Sequence, residues 1–182
     1  MIGQSNLLKK IDKLISNGFP RFVILKGPKG SGRTLLSREI ANLLGVQLIP
    51  IGITVDEVRE VINNSYRNTE PILYVLSDTD KMSLAAKNAL LKITEEPPQK
   101  AYFIQTVTSL SNSLPTLVSR ACVLNMDEYK EGELLQYLNT KYPNNELSAV
   151  QIDFIIKTAK VPLEIDALMT YNLDDFINFV AV

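Results

Sequence analysis

Histidine is absent from this chain and cysteine occurs once, as Cys122. The commonest metal ligand is therefore missing, and neither an internal disulfide nor a cysteine zinc cluster can form. A reducing, cytoplasmic setting is expected. Long apolar runs are lacking too: none approaches the roughly 20 residues that a membrane span requires, and the opening MIGQSNLLKK has no apolar heart of a signal peptide. The expectation is a soluble, unprocessed chain without a membrane partner. An excess of either charge sign is also missing, since 19 basic residues face 20 acidic ones for a formal net charge of −1. Any contact with DNA must then come from a local basic face or through other chains. Hydrophobic residues at 46% and charged residues at 21% are ordinary globular usage. Over 182 residues they suffice for one well-cored domain and a small appendage, with no internal repeat or low-complexity tract.

What is present is organised around KGPKGSGRT at 26–34, which follows the apolar run 22–25 and precedes a helical pattern of Leu35, Leu36, Ile40, Leu43 and Leu44 that stops at Gly45. A strand, a glycine loop and a helix in this order read as a phosphate cradle. Gly27, Gly30 and Gly32 let the backbone curl around phosphate oxygens, and the new helix offers unpaired amides and its positive dipole end. The spacing is that of a phosphate loop, except that Arg33 stands where lysine belongs. Thr34 keeps the hydroxyl that would touch magnesium. Arginine is a wide planar fork rather than a compact point charge, so it can hold phosphate but not in the same space.

Along the rest of the chain, Ser5 or Asn6 caps a first helix in which Leu7, Leu8, Ile11, Leu14 and Ile15 share a face, closed by Gly18 and Pro20. Residues 46–51 form a short apolar stretch, and Thr54 with Glu57 spells a capping box for a helix through Val58, Val61 and Ile62. The run ILYVLS at 72–77 suits a buried parallel strand that ends on the acidic turn Asp78, Thr79, Asp80. One helix is predicted over 83–95, stopped by Pro97 and Pro98, and strands over 102–108 and 122–126. Five strands separated by helices imply an α/β core, residues 1–126, whose mainly parallel sheet takes ligands at the strands' carboxyl ends. Strands then vanish, and helical patterns at 129–138, 148–158, 162–169 and from 173 onward predict a small helical domain over 127–182. Cys122 reads as a small, inert, buried hydrophobe. The apolar run Phe176, Ile177, Phe179 and Val180 either caps the helical domain or marks a partner surface.

Several separated segments carry a family resemblance. The opening IGQ at 2–4, the phosphate loop, VDEVREVI at 55–62, DTDKMSLAAKNALLKITEEPP at 78–98 and LPTLVSR at 114–120 together resemble the AAA+ modules of DNA polymerase clamp loaders, over about residues 1–170. The likeness is nearest to the delta-prime type of DNA polymerase III subunit and its gamma/tau relatives. The resemblance implies a P-loop core with strand order 5-1-4-3-2, ATP held between that core and a helical lid, and partners that are other clamp-loader subunits. Through the assembly these would include the sliding clamp and primer-template DNA. It also implies an arginine finger, here Arg120, reaching the ATP of a neighbouring subunit, an effect worth roughly 10³ to 10⁵ in rate where such fingers act.

The same resemblance exposes departures. The family's magnesium aspartate aligns with Ser77, its catalytic glutamate with the shorter Asp78, its lid arginine with Ile165 and its phosphate lysine with Arg33. Thr108 is either a polar sensor at the end of the fourth strand or simply a good strand former. Lys87, Lys92 and Arg59 lie on helices that face DNA in clamp loaders, or form a solvated face. The zinc cysteines of many delta-prime proteins and a third, collar domain have no counterpart in these residues, which leaves open a fragment, a minimal subunit or a divergent relative. The resulting expectation is a delta-prime-like subunit with weak binding of ATP or ADP through Gly27, Gly30, Gly32, Arg33, Thr34 and Thr108, weak magnesium contact through Thr34, and a degenerate catalytic carboxylate in Asp78. The alternative is a working gamma/tau-like ATPase.

Overall fold

The computed structural model describes residues 1–170; the predicted helix from 173 and the apolar run at 176–180 lie outside the described residues. The chain begins with helix α1 (Ser5–Ser16), strand β1 (Phe22–Lys26), α2 (Arg33–Leu44), β2 (Gln47–Ile51), α3 (Val55–Ser65) and β3 (Ile72–Leu76). A short 3-10 turn, Thr79–Lys81, leads to α4 (Leu84–Ala89) and α5 (Leu91–Glu95). Strand β4 (Ala101–Val107), a second 3-10 turn (Leu110–Asn112), α6 (Pro115–Val118) and β5 (Cys122–Asn125) follow. Among the described residues three further helices follow, α7 (Glu131–Lys141), α8 (Ala149–Thr158) and α9 (Pro162–Leu168).

The five strands of the described residues are parallel, in the order β2-β3-β4-β1-β5, the order that the family resemblance implies. Strand β1 is interior and buried from Phe22 to Leu25, as four consecutive apolar residues with helices on both faces demand. Period-two alternation sends Phe22 and Ile24 into one apolar cluster with Tyr74, Leu76 and Phe103. It sends Val23 and Leu25 into the other with Leu73, Val75 and Ile104. The register aligns Val23 with Ile104 and Cys122, and Ile104 in turn with Val75. Among the described residues strand β2 is an edge, paired with β3, and carries Gln47 and Pro50 exposed.

Three sequence expectations are corrected. The helix predicted over 83–95 is two short helices, because the Leu90 amide bonds the Lys87 carbonyl 3.2 Å away, three residues back, and the turn tightens there. Ser83 caps the first of them through a bond from the Ala86 amide. Cys122 is only half-buried, packed at the margin of the cluster that holds Val23 and Leu124. The cradle helix starts at Arg33 rather than Leu35.

Contacts divide the chain into two compact units, one of residues 6–28 and 33–126, the other of residues 1–5, 29–32 and those from 127 onward. The first contains the sheet with α1 to α6. The second has its own core of Leu134, Leu138, Ile155, Ile156, Ala159 and Ile165. Among the described residues no helix is long and apolar enough to cross a membrane.

Candidate functional site

In a parallel sheet the strand ends that share one direction bring distant loops together. Here β4 lies between β1 and β3, so the loop after β1, the turn after β3 and the residue after β4 emerge side by side. Gly27 fixes the start of the first loop, its amide donating to the Val107 carbonyl over 3.1 Å. Gly30 and Gly32 adopt φ of +85° and +90°, a left-handed region that L side chains rarely enter. The tip of the loop, residues 29–32, belongs to the second unit. A β-carbon added at Gly30 would stand 2.3 Å from that of Leu163, and Tyr129 Oη donates to the Ser31 carbonyl over 3.0 Å. Burial pushes the Tyr129 hydroxyl above its ordinary pKa.

Arg33 opens α2 yet is only 6% exposed. Its Nη2 lies 3.1 Å from Asp78 Oδ1 in an ion pair whose aspartate is 42% exposed. Nη1 of the same guanidinium is buried and meets no acceptor among the described residues. Asp78 stands in left-handed backbone, φ 53° and ψ 44°, a conformation that aspartate and asparagine tolerate better than most residues. The turn is pinned by its own hydrogen bonds: the Asp78 amide donates to Thr106 Oγ1 over 3.0 Å, and Lys81 N donates to the Asp78 carbonyl over 3.1 Å. Beneath it, Gln105 Nε2 donates to Thr79 Oγ1 over 2.7 Å and Thr79 Oγ1 to the Thr106 carbonyl over 3.1 Å, all buried. The sequence reading assigned these three residues no role. The only signal was a polar pair, Gln105 and Thr106, inside the otherwise apolar strand AYFIQTV.

Thr108 lies just past β4 and is engaged by Asp80, whose Oδ2 accepts from the Thr108 amide at 2.8 Å and from its hydroxyl at 3.0 Å. Burial pushes the Asp80 carboxyl up, but these two bonds, with others from Asn112 and the Ser109 amide, outweigh it and hold the group below its ordinary pKa. Ser77 and Thr34 are exposed. Neither of the two carries a carboxylate, and Asp78 is committed to Arg33. Among the described residues no group of three or more Asp, Glu, Cys or His could hold a metal ion.

Arg120 takes no part in this cluster. It follows α6, is 40% exposed, and is held by the Thr116 carbonyl at 3.0 Å and Glu95 Oε1 at 3.5 Å. Of the basic helix residues, Lys87 donates to the Asn112 carbonyl at 2.6 Å and Lys92 lies over the Tyr66 ring at 5.3 Å.

In the second unit, Ile165 is fully buried in the helical core and serves packing. Its neighbour Asp166 gathers Tyr137, Tyr142 and Lys141, with Lys141 Nζ at 2.7 Å. That bond holds the Lys141 ammonium above its ordinary pKa, whereas burial, ahead of the carboxylate, raises both tyrosines. The opening IGQ ends in buried Gln4, which exchanges two hydrogen bonds with the Asp127 backbone, 2.8 Å from Nε2 and 2.7 Å to Oε1.

The chain is 29% identical to the DNA polymerase III subunit gamma of Buchnera aphidicola subsp. Schizaphis graminum over 76% of its own length and 47% of that protein. It is 33% identical to the DNA polymerase III subunit delta' of Haemophilus influenzae over 52% of the chain and 31% of the relative. The chain thus spans less than half the length of these relatives. Among solved structures, the RuvB Holliday junction branch migration motor of Thermotoga maritima superposes with a TM-score of 0.72 over 90% of the chain and 59% of that structure, at 19% identity, a likeness of fold alone. Residues 12–130, well over half of the chain, match the family described as DNA polymerase III, delta subunit. The chain belongs to that DNA polymerase III subunit family and is an AAA+ module of the clamp-loader type.

Proposed function

We propose that the chain acts as a delta-prime-like clamp-loader subunit: its own nucleotide site is degenerate, and it lends Arg120 to the ATP site of a neighbouring subunit. The observation that carries this reading is the Arg33–Asp78 ion pair at 3.1 Å. The residue at the phosphate-lysine position and the residue at the catalytic-carboxylate position are engaged with each other, and Ser77 brings no charge for magnesium. The cradle itself suits the α and β phosphates, because Gly30 and Gly32 take the left-handed φ that lets a backbone curl around an anion. The donor set does not fit magnesium, a hard cation that takes carboxylate and phosphate oxygens. Binding of ATP or ADP is therefore weak, nearly indifferent to magnesium and to the third phosphate. Arg120, exposed and among the described residues bound to Glu95 and a carbonyl, can reach another chain's phosphate at the loss of a surface ion pair, which is small. Subunits, sliding clamp and primer-template DNA are then met through the assembly.

Two measurements test the proposal. Calorimetric titration with ATP should give weak, magnesium-independent binding for the native chain, and tighter, magnesium-dependent binding for Arg33→Lys combined with Ser77→Asp. ATP hydrolysis by a reconstituted clamp-loader complex should collapse with Arg120→Ala. Turnover by the purified chain alone, abolished by Thr34→Ala, would instead establish a gamma-type ATPase.

A further inference from the structure

We infer that Asp78 is a specificity-determining residue that excludes the terminal phosphate of a nucleotide by occupying Arg33 itself. The inference rests on the reading of residues 26–34 as a phosphate cradle. Three observations carry it.

The first is the asymmetry of the ion pair. Arg33 is 6% exposed and Asp78 42%, so the guanidinium is fixed in the interior while its carboxylate partner stands at the solvent side, where an incoming anion would arrive. The second is the unfilled half of the fork. Asp78 reaches Nη2 with one oxygen, and buried Nη1 meets no acceptor among the described residues. A buried ionised donor favours a partner strongly, and a guanidinium is built to bind an oxyanion through two nitrogens at once. A phosphate in place of the carboxylate offers oxygens to both. The third is the backbone that presents Asp78. Its left-handed φ of 53°, held by the Thr106 hydroxyl and the Lys81 amide, fixes the turn from which the carboxylate meets Arg33. A residue at the catalytic-carboxylate position has thereby become an internal competitor with phosphate. Removing its charge while keeping the turn should open the site.

Asn and Gly both adopt left-handed backbone, so Asp78→Asn and Asp78→Gly serve as two independent variants. ATP, ADP and adenosine are titrated calorimetrically into each and into the native chain, in EDTA. Both variants are expected to bind ATP about tenfold more tightly than the native chain, the value of one charge-assisted contact regained. Adenosine should show no gain, and adding Arg33→Gln should remove the gain for ATP. Variants that gain nothing, or gain equally for adenosine, or keep the gain without Arg33, overturn the inference. The native chain keeps the two readings apart. Tight, magnesium-dependent ATP binding by it defeats the degenerate-site reading and this inference with it, whereas a weakly binding native chain with unimproved Asp78 variants defeats this inference alone.

Discussion

Asp80 is the residue through which pH reaches the strand-end cluster. Its pKa is depressed in the folded chain because the hydrogen bonds from Thr108, Asn112 and Ser109 outweigh the opposing effect of burial. A depressed carboxylate contributes stability that is fully present above the unfolded pKa and is lost as pH falls through the lower, folded one. Thr108→Val removes the 3.0 Å hydroxyl bond and leaves the amide bond in place. At neutral pH the variant should be less stable by about 1 kcal/mol, the usual worth of one hydrogen bond. That deficit should shrink as pH is lowered through the acid range and Asp80 protonates. Thermal melts of both proteins from neutral to strongly acidic pH check it, and a deficit that stays constant with pH would mean that the Thr108 hydroxyl acts on something other than Asp80. Arg33 and Asp78 both stood out in the sequence, one as a replacement for lysine and the other in an acidic turn. Their pairing could not be read there, because they lie 45 positions apart and meet only since β1 and β3 flank β4. For the same reason the service of Thr108 to Asp80 was invisible.

Elements whose identity depends on neighbouring residues were the most legible. The capping box of α3 appears as the sequence predicts, with Thr54 and Glu57 bonded reciprocally, since both partners lie within one turn. The four-residue buried run of β1 was equally plain. The break at Leu90 was not, because Ala86, Leu90 and Ile93 keep helical spacing on either side of it and all are buried; only the carbonyl that the Leu90 amide selects marks the change. Helix α8 carries a second capping box, formed by Ser148 and Gln151. The Ser148 hydroxyl accepts from the Gln151 amide at 3.3 Å, and Gln151 Oε1 accepts from the Ser148 amide at 2.7 Å. Ser148→Ala removes the hydroxyl that accepts from the Gln151 amide and should lower stability by about 1 kcal/mol. Urea denaturation followed by far-ultraviolet circular dichroism measures this. A Ser148→Asp variant, which restores an acceptor and adds a favourable charge at the helix start, should recover most of the loss.

At the scale of the whole molecule, each of the two units has its own apolar core. The sheet's faces are filled by two large apolar clusters, whereas the core around α7, α8 and α9 has only six buried apolar side chains among the described residues. So small a core is sensitive to a single cavity. Leu138 is fully buried in it, and Leu138→Ala should destabilise that unit by roughly 2 to 5 kcal/mol. The check is hydrogen exchange read by mass spectrometry, in which the amides of α7, α8 and α9 should lose protection first and most. Faster exchange confined to the sheet strands would be the contrary result.

The exposed proline of β2 bears on how copies of this chain behave toward one another. An open parallel sheet ends in a strand whose outer side offers backbone donors and acceptors to any extended segment that drifts alongside. At Pro50 the ring leaves no amide hydrogen and projects from the strand. A second chain attempting to extend the sheet there would meet a gap in the ladder after only three residues, Gln47 to Ile49. The β2 edge is thus blunted against runaway strand addition, the first step toward fibres.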